Sequence, residues 1–204
     1  MQTDLFTGSA EKLDIPDADI VYREGFLANP QPLYEALLKE IAWRQDTIVM
    51  YGKPVQIPRL NAWYGDPDAS YSYSGLALDP LPWTDTLLRI KAEVEGELNQ
   101  RFNSVLANLY RDGNDSVGWH SDDEPELGDQ PLIASVSLGA ERRFSLRHRK
   151  KKSRAPIHID LAPGSLFVMR GITQRDWHHC VAKTKRDVGG RINLTFRQIL
   201  RVRP

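Results

Sequence analysis

From residue 104 onward the chain abandons helical periodicity for a succession of short strands. The pattern places them at 104–110, 132–138, 142–147, 157–161, 165–169 and 191–200. Turn residues separate them: Asp112-Gly113, Gly139-Ala140, Pro163-Gly164 and Gly189-Gly190. Strands so short and so closely spaced bury their apolar faces by closing into a sandwich or barrel. The stretch Arg191-Ile192-Asn193-Leu194-Thr195-Phe196-Arg197 alternates strictly. Ile192, Leu194 and Phe196 share one face, and Arg191, Asn193, Thr195 and Arg197 share the other. That polar face lies in water or lines the inside of a barrel. In the second case two permanently charged guanidinium groups would be able to clamp a dicarboxylate.

Ahead of the strands the period is helical. Residues 31–43 read as a helix, with Pro32 in its first turn and Leu33, Leu37, Leu38 and Ile41 on one face. Residues 84–99 read as a second, with Thr84 as cap and a stripe of Leu87, Leu88, Lys91, Val94 and Leu98. Two helices followed by a run of strands place the helices on one outer face of the β unit. Residues 48–82, rich in Tyr, Trp, Pro and Gly, read as hairpins and loops. Residues 1–20 are acidic and weakly periodic, which reads as a loosely held arm.

Composition excludes several classes. With 41% hydrophobic and 26% charged residues the chain is neither disordered nor a fibre. Its 204 residues suit one domain. No apolar run approaches the roughly 18 residues that a membrane-spanning helix needs. The opening Met1-Gln2-Thr3-Asp4 has no basic-then-apolar pattern, so no secretory signal is expected. The single cysteine, Cys180, excludes a disulfide scaffold and fits a reducing compartment. The net charge of zero hides an asymmetry. Residues 1–100 carry 8 basic and 16 acidic side chains, whereas residues 101–204 carry 19 and 11. The densest patch, Arg147-His148-Arg149-Lys150-Lys151-Lys152-Ser153-Arg154, points to an anionic partner or to a solvated loop between strands.

A metal constellation is also legible. In an extended segment His120 and Asp122 of His120-Ser121-Asp122 project to the same side and are able to address one ion. Asp176-Trp177-His178-His179-Cys180 offers two histidines for a third ligand. Two imidazoles and a carboxylate on one face of an octahedron leave the other face open, the geometry of non-haem Fe(II) oxygenases. His-x-Asp by itself is weak, since a surface or core pair has the same spelling. A strand face carrying Asn108 and Tyr110 supplies further polar groups.

Taken jointly, His120-Ser121-Asp122, a distant histidine and Arg191-x-Asn193-x-Thr195-x-Arg197 resemble the AlkB family of Fe(II)/2-oxoglutarate-dependent nucleic-acid dealkylases. Pro58-Arg59-Leu60-Asn61-Ala62-Trp63-Tyr64-Gly65, Asn108-Leu109-Tyr110-Arg111, Trp119-His120-Ser121-Asp122-Asp123-Glu124-Pro125 and Ile133-Ala134-Ser135-Val136-Ser137-Leu138-Gly139 strengthen the likeness, which covers roughly residues 45–200. The resemblance implies an α+β, mainly β, fold with a double-stranded β-helix (jelly-roll) core. It implies Fe(II) held by His120, Asp122 and His179, with 2-oxoglutarate and O2 as the other reactants. Asn108, Tyr110, Arg191, Asn193, Thr195 and Arg197 correspond to the 2-oxoglutarate pocket. Tyr71 and Tyr73 resemble the lid over the base, with Tyr73 stacking on it. Asp123 and Glu124 are placed to read exocyclic amino groups or to stabilise a cationic alkylated base. Met50, Tyr51 and Gly52 resemble a hairpin that wedges into duplex DNA, and Lys150, Lys151 and Lys152 are expected to meet phosphates.

The expected organisation is an N-terminal arm (1–30), supporting helices and nucleotide-recognition lid (31–103), and the dioxygenase jelly roll (104–204), all in one compact domain. The expected reaction is oxidative demethylation of N-alkylated bases of the 1-methyladenine and 3-methylcytosine type, with 2-oxoglutarate decarboxylated to succinate. The expected partner is alkylated single- or double-stranded DNA, with RNA as an extension. The protein is expected to be a cytoplasmic monomer, or nuclear in a eukaryote. The competing readings are a 2-oxoglutarate oxygenase acting on RNA or on a protein side chain, and a non-catalytic nucleic-acid-binding jelly roll.

Overall fold

The computed structural model describes residues 10–50, 52–69, 71–73 and 76–200. Its elements run β1 (Glu11–Lys12), β2 (Asp19–Arg23), α1 (Pro30–Glu40), β3 (Thr47–Met50), β4 (Lys53–Gln56), β5 (Leu60–Gly65), β6 (Tyr71–Tyr73), β7 (Leu76–Leu78) and α2 (Asp85–Leu98). They continue with β8 (Ser104–Tyr110), β9 (Val117–His120), β10 (Ile133–Gly139), β11 (Arg142–His148), β12 (Ile157–Leu161), β13 (Leu166–Arg170), α3 (Thr173–Asp176), β14 (Trp177–Val181) and β15 (Arg191–Arg197). A seven-stranded sheet has the order β1-β2-β13-β10-β15-β8-β5, and a four-stranded sheet the order β12-β11-β14-β9. The strand pairs in both are antiparallel. The two sheets form the jelly roll, and β3–β4 and β6–β7 are separate hairpins.

Alternation along the large sheet sorts two cores. Val105, Ala107, Ala134, Val136, Ile192, Leu194 and Phe196 pack with Leu33 and Leu37 of α1 and Leu87, Ile90 and Val94 of α2. The helices therefore cover the outer face of this sheet. Its other face turns toward the small sheet, where Ile133, Phe167 and Met169 meet Phe144, Leu146, Trp177 and Val181. The helix stripes differ in detail from the sequence pattern. Leu38 and Leu88 are exposed, and Ile90 is buried in place of Leu88. Leu87, Ile90 and Val94 follow the i, i+3, i+7 spacing of one face. Thr84 Oγ1 caps α2 by accepting the Leu87 N–H at 3.3 Å.

Residues 1–20 read as a loose arm, and the structure corrects this for their described part. Asp19–Arg23 pairs with β13 over five residues, from Leu166↔Arg23 to Arg170↔Asp19. Ile20 and Val21 are buried, one on each side of the sheet. The strand is too short, and its neighbours too acidic, to announce itself by period. The turn from β10 to β11 needs glycine at position 139. There φ is +81°, and a Cβ would collide with the Gly190 carbonyl and the Tyr34 ring.

Candidate metal and cosubstrate site

The small sheet delivers two histidines. His120 ends β9 and pairs directly across from His179 on β14. Their rings lie edge to face, with centroids 4.2 Å apart. Alternation along β14 turns Trp177, His179 and Val181 into the inter-sheet space, so His178 faces away. This is how β14 discriminates between two adjacent histidines that spacing alone leaves open and between which the family resemblance favours His179. Asp122 leaves β9 just beyond His120. The ligand atoms of His120, Asp122 and His179 all lie within 4.8 Å of one another, a spacing that one ion would span.

Each donor is prepared for a cation. The Nδ1–H of His120 donates to the Gly118 carbonyl at 2.8 Å, which leaves the Nε2 lone pair available. His179 is buried and stacked on Phe144, with centroids 5.2 Å apart and planes 22° apart. Burial, reinforced by His120 beside it, pushes its pKa down to about 3, so the ring is neutral at physiological pH. Burial alone would raise Asp122. Arg197 foremost, then the two imidazoles, outweigh that and hold the carboxyl below the usual carboxylate range. Asp122 Oδ1 accepts from Arg197 Nη2 at 2.6 Å, and its backbone N–H donates to Gln174 Oε1 at 2.9 Å.

The large sheet contributes the anion-binding side. Arg191, Asn193, Thr195 and Arg197 of β15 all face the inter-sheet cavity, together with Asn108 and Tyr110 of β8. Arg191 Nη2 donates to Ser137 Oγ at 2.9 Å and to Asn193 Oδ1 at 2.8 Å. Asn193 Oδ1 also accepts from Ser135 Oγ at 2.8 Å, and Asn193 Nδ2 donates to Thr195 Oγ1 at 2.8 Å. The Arg191 guanidinium sits 5.4 Å from the centroid of the Tyr110 ring. Arg191 is 1% exposed and, among the described residues, has no carboxylate partner. Burial lowers its pKa to about 10, which still leaves it charged. A buried, charged guanidinium without an acid calls for an anion from outside. A carboxylate of a small cosubstrate fits that need, as the His120, Asp122 and His179 donor set fits a divalent iron.

Some contributors carried no assigned role in the sequence. Arg59 is buried and donates through Nε to Asn108 Oδ1 at 2.7 Å. Gln174 braces Asp122. Ser135 and Ser137 had a legible signal, two polar residues at i and i+2 inside the apolar strand β10.

The expected substrate contacts are distributed around this centre. Asp123 Oδ2 accepts from Arg149 Nη1 at 2.7 Å, and Glu124 precedes the short helical turn Pro125–Leu127. Tyr71 and Tyr73 belong to the hairpin β6–β7. Met50 pairs with Lys53 in β3–β4, where Gly52 has φ +75°, and Tyr51 lies outside the described residues. Lys150, Lys151 and Lys152 sit in the β11–β12 connection. Lys151 is bonded to Asp17 at 2.6 Å, whereas Lys150 and Lys152 form no ion pair among the described residues.

Two histidines and an aspartate facing polar strand positions inside a two-sheet barrel have the arrangement of the jelly-roll non-haem iron oxygenases. The family model described as the 2OG-Fe(II) oxygenase superfamily matches residues 20–197. The chain belongs to that superfamily and, within it, to the AlkB family. It is 41% identical to alpha-ketoglutarate-dependent dioxygenase alkB homolog 3 of Bos taurus over 181 residues, 85% of this chain and 63% of the relative. It is 40% identical to DNA oxidative demethylase ALKBH2 of Homo sapiens over 182 residues, 85% of this chain and 70% of the relative. The chain thus spans about three-fifths of the length of the alkB homolog 3 relatives, at 63% and 60%. A solved structure titled for OsALKBH1 superposes with a TM-score of 0.65 at 19% identity, over 93% of this chain and 99% of that one, a likeness in fold. The cofactors that the family implies are Fe(II), 2-oxoglutarate and O2.

Proposed function

We propose that this chain is an Fe(II)/2-oxoglutarate-dependent dioxygenase that oxidatively removes alkyl groups from the nitrogens of DNA bases. One observation carries the reading. A compact donor set of two histidines and an aspartate shares its cavity with a buried arginine, Arg191, that has no acid partner among the described residues. The names of the relatives, an alpha-ketoglutarate-dependent dioxygenase and a DNA oxidative demethylase, support the substrate class.

His120, Asp122 and His179 would hold the iron, and Arg197 would keep Asp122 ionised and oriented. Arg191, with Tyr110 and Asn193 around it, would take the distal carboxylate of 2-oxoglutarate. Iron, 2-oxoglutarate and O2 together supply the oxidising power that converts an N-alkyl group into one that leaves as an aldehyde, with succinate and CO2 as co-products. The protein contributes position, charge and a dry cavity. A base alkylated on its pairing edge is cheap to extrude, because its pairing is already broken. Asp123 and Glu124 would meet its exocyclic amino group, and Tyr71 and Tyr73 would cover it. Lys150 and Lys152 would meet the strand's phosphates. We place the protein in the cytoplasm, or in the nucleus in a eukaryote, acting as a monomer.

The test is a panel of single-stranded DNA, duplex DNA, RNA and peptide substrates bearing methyl groups, incubated with Fe(II) and 2-oxoglutarate. Restored base and succinate are expected in equal amounts on 1-methyladenine and 3-methylcytosine DNA. Turnover on RNA or peptide alone would replace the substrate assignment. Nucleic-acid binding without succinate would make the chain a non-catalytic binder.

A further inference from the structure

The basic run from Arg147 to Arg154 is not uniformly available to a partner, and what occupies it is informative. Asp17 lies in the turn between β1 and β2, with φ +62°. One of its carboxylate oxygens, Oδ2, receives Lys151 Nζ at 2.6 Å and Arg154 Nη1 at 3.2 Å, and faces His148 Nε2 at 3.5 Å. These three donors come from the end of β11 and the loop that follows it, and two of them are pre-set. His148 is 5% exposed, and its Nδ1 accepts the backbone N–H groups of Lys150 and Lys151, each at 3.1 Å. The ring proton therefore resides on Nε2, a buried donor with no hydrogen-bond partner that lies 3.5 Å from the Asp17 oxygen. Arg154 is held independently of Asp17. It donates to the Pro16 carbonyl at 3.2 Å, and its guanidinium lies 5.7 Å from the Trp177 ring.

Three convergent N–H donors around one anionic oxygen make a seat for such an oxygen, whichever molecule carries it. The seat flanks the candidate active site. Trp177 opens the strand that carries His179, and Arg149 of the same loop reaches Asp123, next to Asp122. Asp17 keeps about a third of its side chain exposed. Ion pairs in that solvent-screened setting are weak, so this occupant can be displaced.

We propose that the seat formed by His148, Lys151 and Arg154 binds a backbone phosphate of the nucleic-acid strand, and that Asp17 is an internal stand-in which the phosphate displaces. The inference rests on the nucleic-acid reading above. It predicts an unusual electrostatic signature. While Asp17 neutralises Lys151 and Arg154, phosphate exchange at the seat releases few counterions, so the native chain shows a shallower salt dependence than its basic run suggests.

The experiment uses the full chain loaded with Mn(II) and 2-oxoglutarate, and a short fluorescein-labelled single-stranded DNA containing one 1-methyladenine. Binding is followed by anisotropy from about 50 to 200 mM salt. Asp17→Asn should bind several-fold tighter at low salt. Its log–log salt slope should steepen by up to about 1.4, roughly 0.7 for each cation released. Asp17→Glu, which keeps the charge, should restore the native slope. Lys151→Ala should cost more in the Asp17→Asn background than in the native one. An Asp17→Asn protein with native affinity and slope would overturn the proposal. So would an Asp17→Glu protein that behaves like Asp17→Asn, because the aspartate would then act only by shaping its turn. If the native chain shows no salt-dependent binding at all, the nucleic-acid reading fails and takes the seat with it. If it binds but is indifferent to Asp17, only the seat falls.

Discussion

The two sheets divide the chemistry between them. The four-stranded sheet carries the side proposed for the metal, with His120 and His179 adjacent across β9 and β14. The seven-stranded sheet carries the anion side, with Asn108, Tyr110, Arg191, Asn193 and Arg197 on β8 and β15. The charge accounting on the two sides is opposite. Asp122 and Arg197 neutralise each other at 2.6 Å, so the metal side is self-consistent before any ligand arrives. Among the described residues Arg191 has neutral hydrogen-bond partners, such as Ser137 and Asn193, and no carboxylate. The anion side is therefore kept at a cost in stability that only a bound anion relieves.

The largest effect expected is at Asp122. Asp122→Ala removes a proposed metal ligand and a 2.6 Å ion-pair partner of the buried Arg197 at once. Succinate formation should be abolished, and the metal-free protein should lose about 3–5 kcal/mol in urea unfolding, the usual cost of breaking a buried pair. Nucleic-acid binding should be mostly retained in a gel-shift assay. Succinate formation at the native rate would remove Asp122 from the metal. Arg191→Met should behave in the opposite sense. Its apparent affinity for 2-oxoglutarate should fall by about 2–5 kcal/mol, roughly 30-fold to several thousand-fold. Its stability without ligand should be no lower than that of the native chain, since a buried charge with no acid has been removed. A strongly destabilised Arg191→Met protein, measured the same way, would erase the contrast between the sheets.

Much of this division is legible in the sequence, and the reason is local. A strand's period of two assigns faces from six or seven consecutive residues, so the polar face of β15 and the Asn108–Tyr110 face of β8 needed no tertiary information. Thr84 as a helix cap is local in the same sense. The edge strand β2 escaped because Asp19-Ile20-Val21-Tyr22-Arg23 is short and sits in an acidic stretch, its strand character coming from pairing with β13. The choice between His178 and His179 followed from the family resemblance, because the WHHCV run had not been read as a strand. Arg59 on Asn108 and Gln174 on Asp122 are contacts across 49 and 52 residues, and Asp17 meets Lys151 across 134. Such pairs are set by how sheets and loops close on one another, and no window of the chain contains both partners.

A smaller effect separates the sheets by pH. In the metal-free protein His179 resists protonation down to about 3, whereas a histidine in the unfolded chain takes up a proton near 6.5. Between those values the unfolded state binds more protons. Stability therefore rises with pH and is lost as pH falls from about 6.5 toward 3, by at most about 1.4 kcal/mol per pH unit for this one group. The urea midpoint of the native chain should fall more steeply between about pH 6.5 and 4.5 than that of His179→Gln. Equal slopes would mean that His179 is not the group responsible.

The smallest effect lies outside both sheets, in the loop that joins β11 to β12, and it tests whether charge there is spent internally or kept for a partner. Just before the loop, Arg147 of β11 lies over the Trp119 ring at 4.4 Å; within it, Arg149 is paired with Asp123, and Lys151 and Arg154 are paired with Asp17. Lys150 and Lys152 form no ion pair among the described residues, and their phosphate role under the proposed function does not depend on displacing Asp17. Replacing either with Ala should flatten the log–log salt slope of oligonucleotide binding by about 0.7 to 0.9 and leave the 2-oxoglutarate affinity unchanged. A slope untouched by both replacements would make the loop a solvated connector, and charge in this protein would then matter only where it is buried.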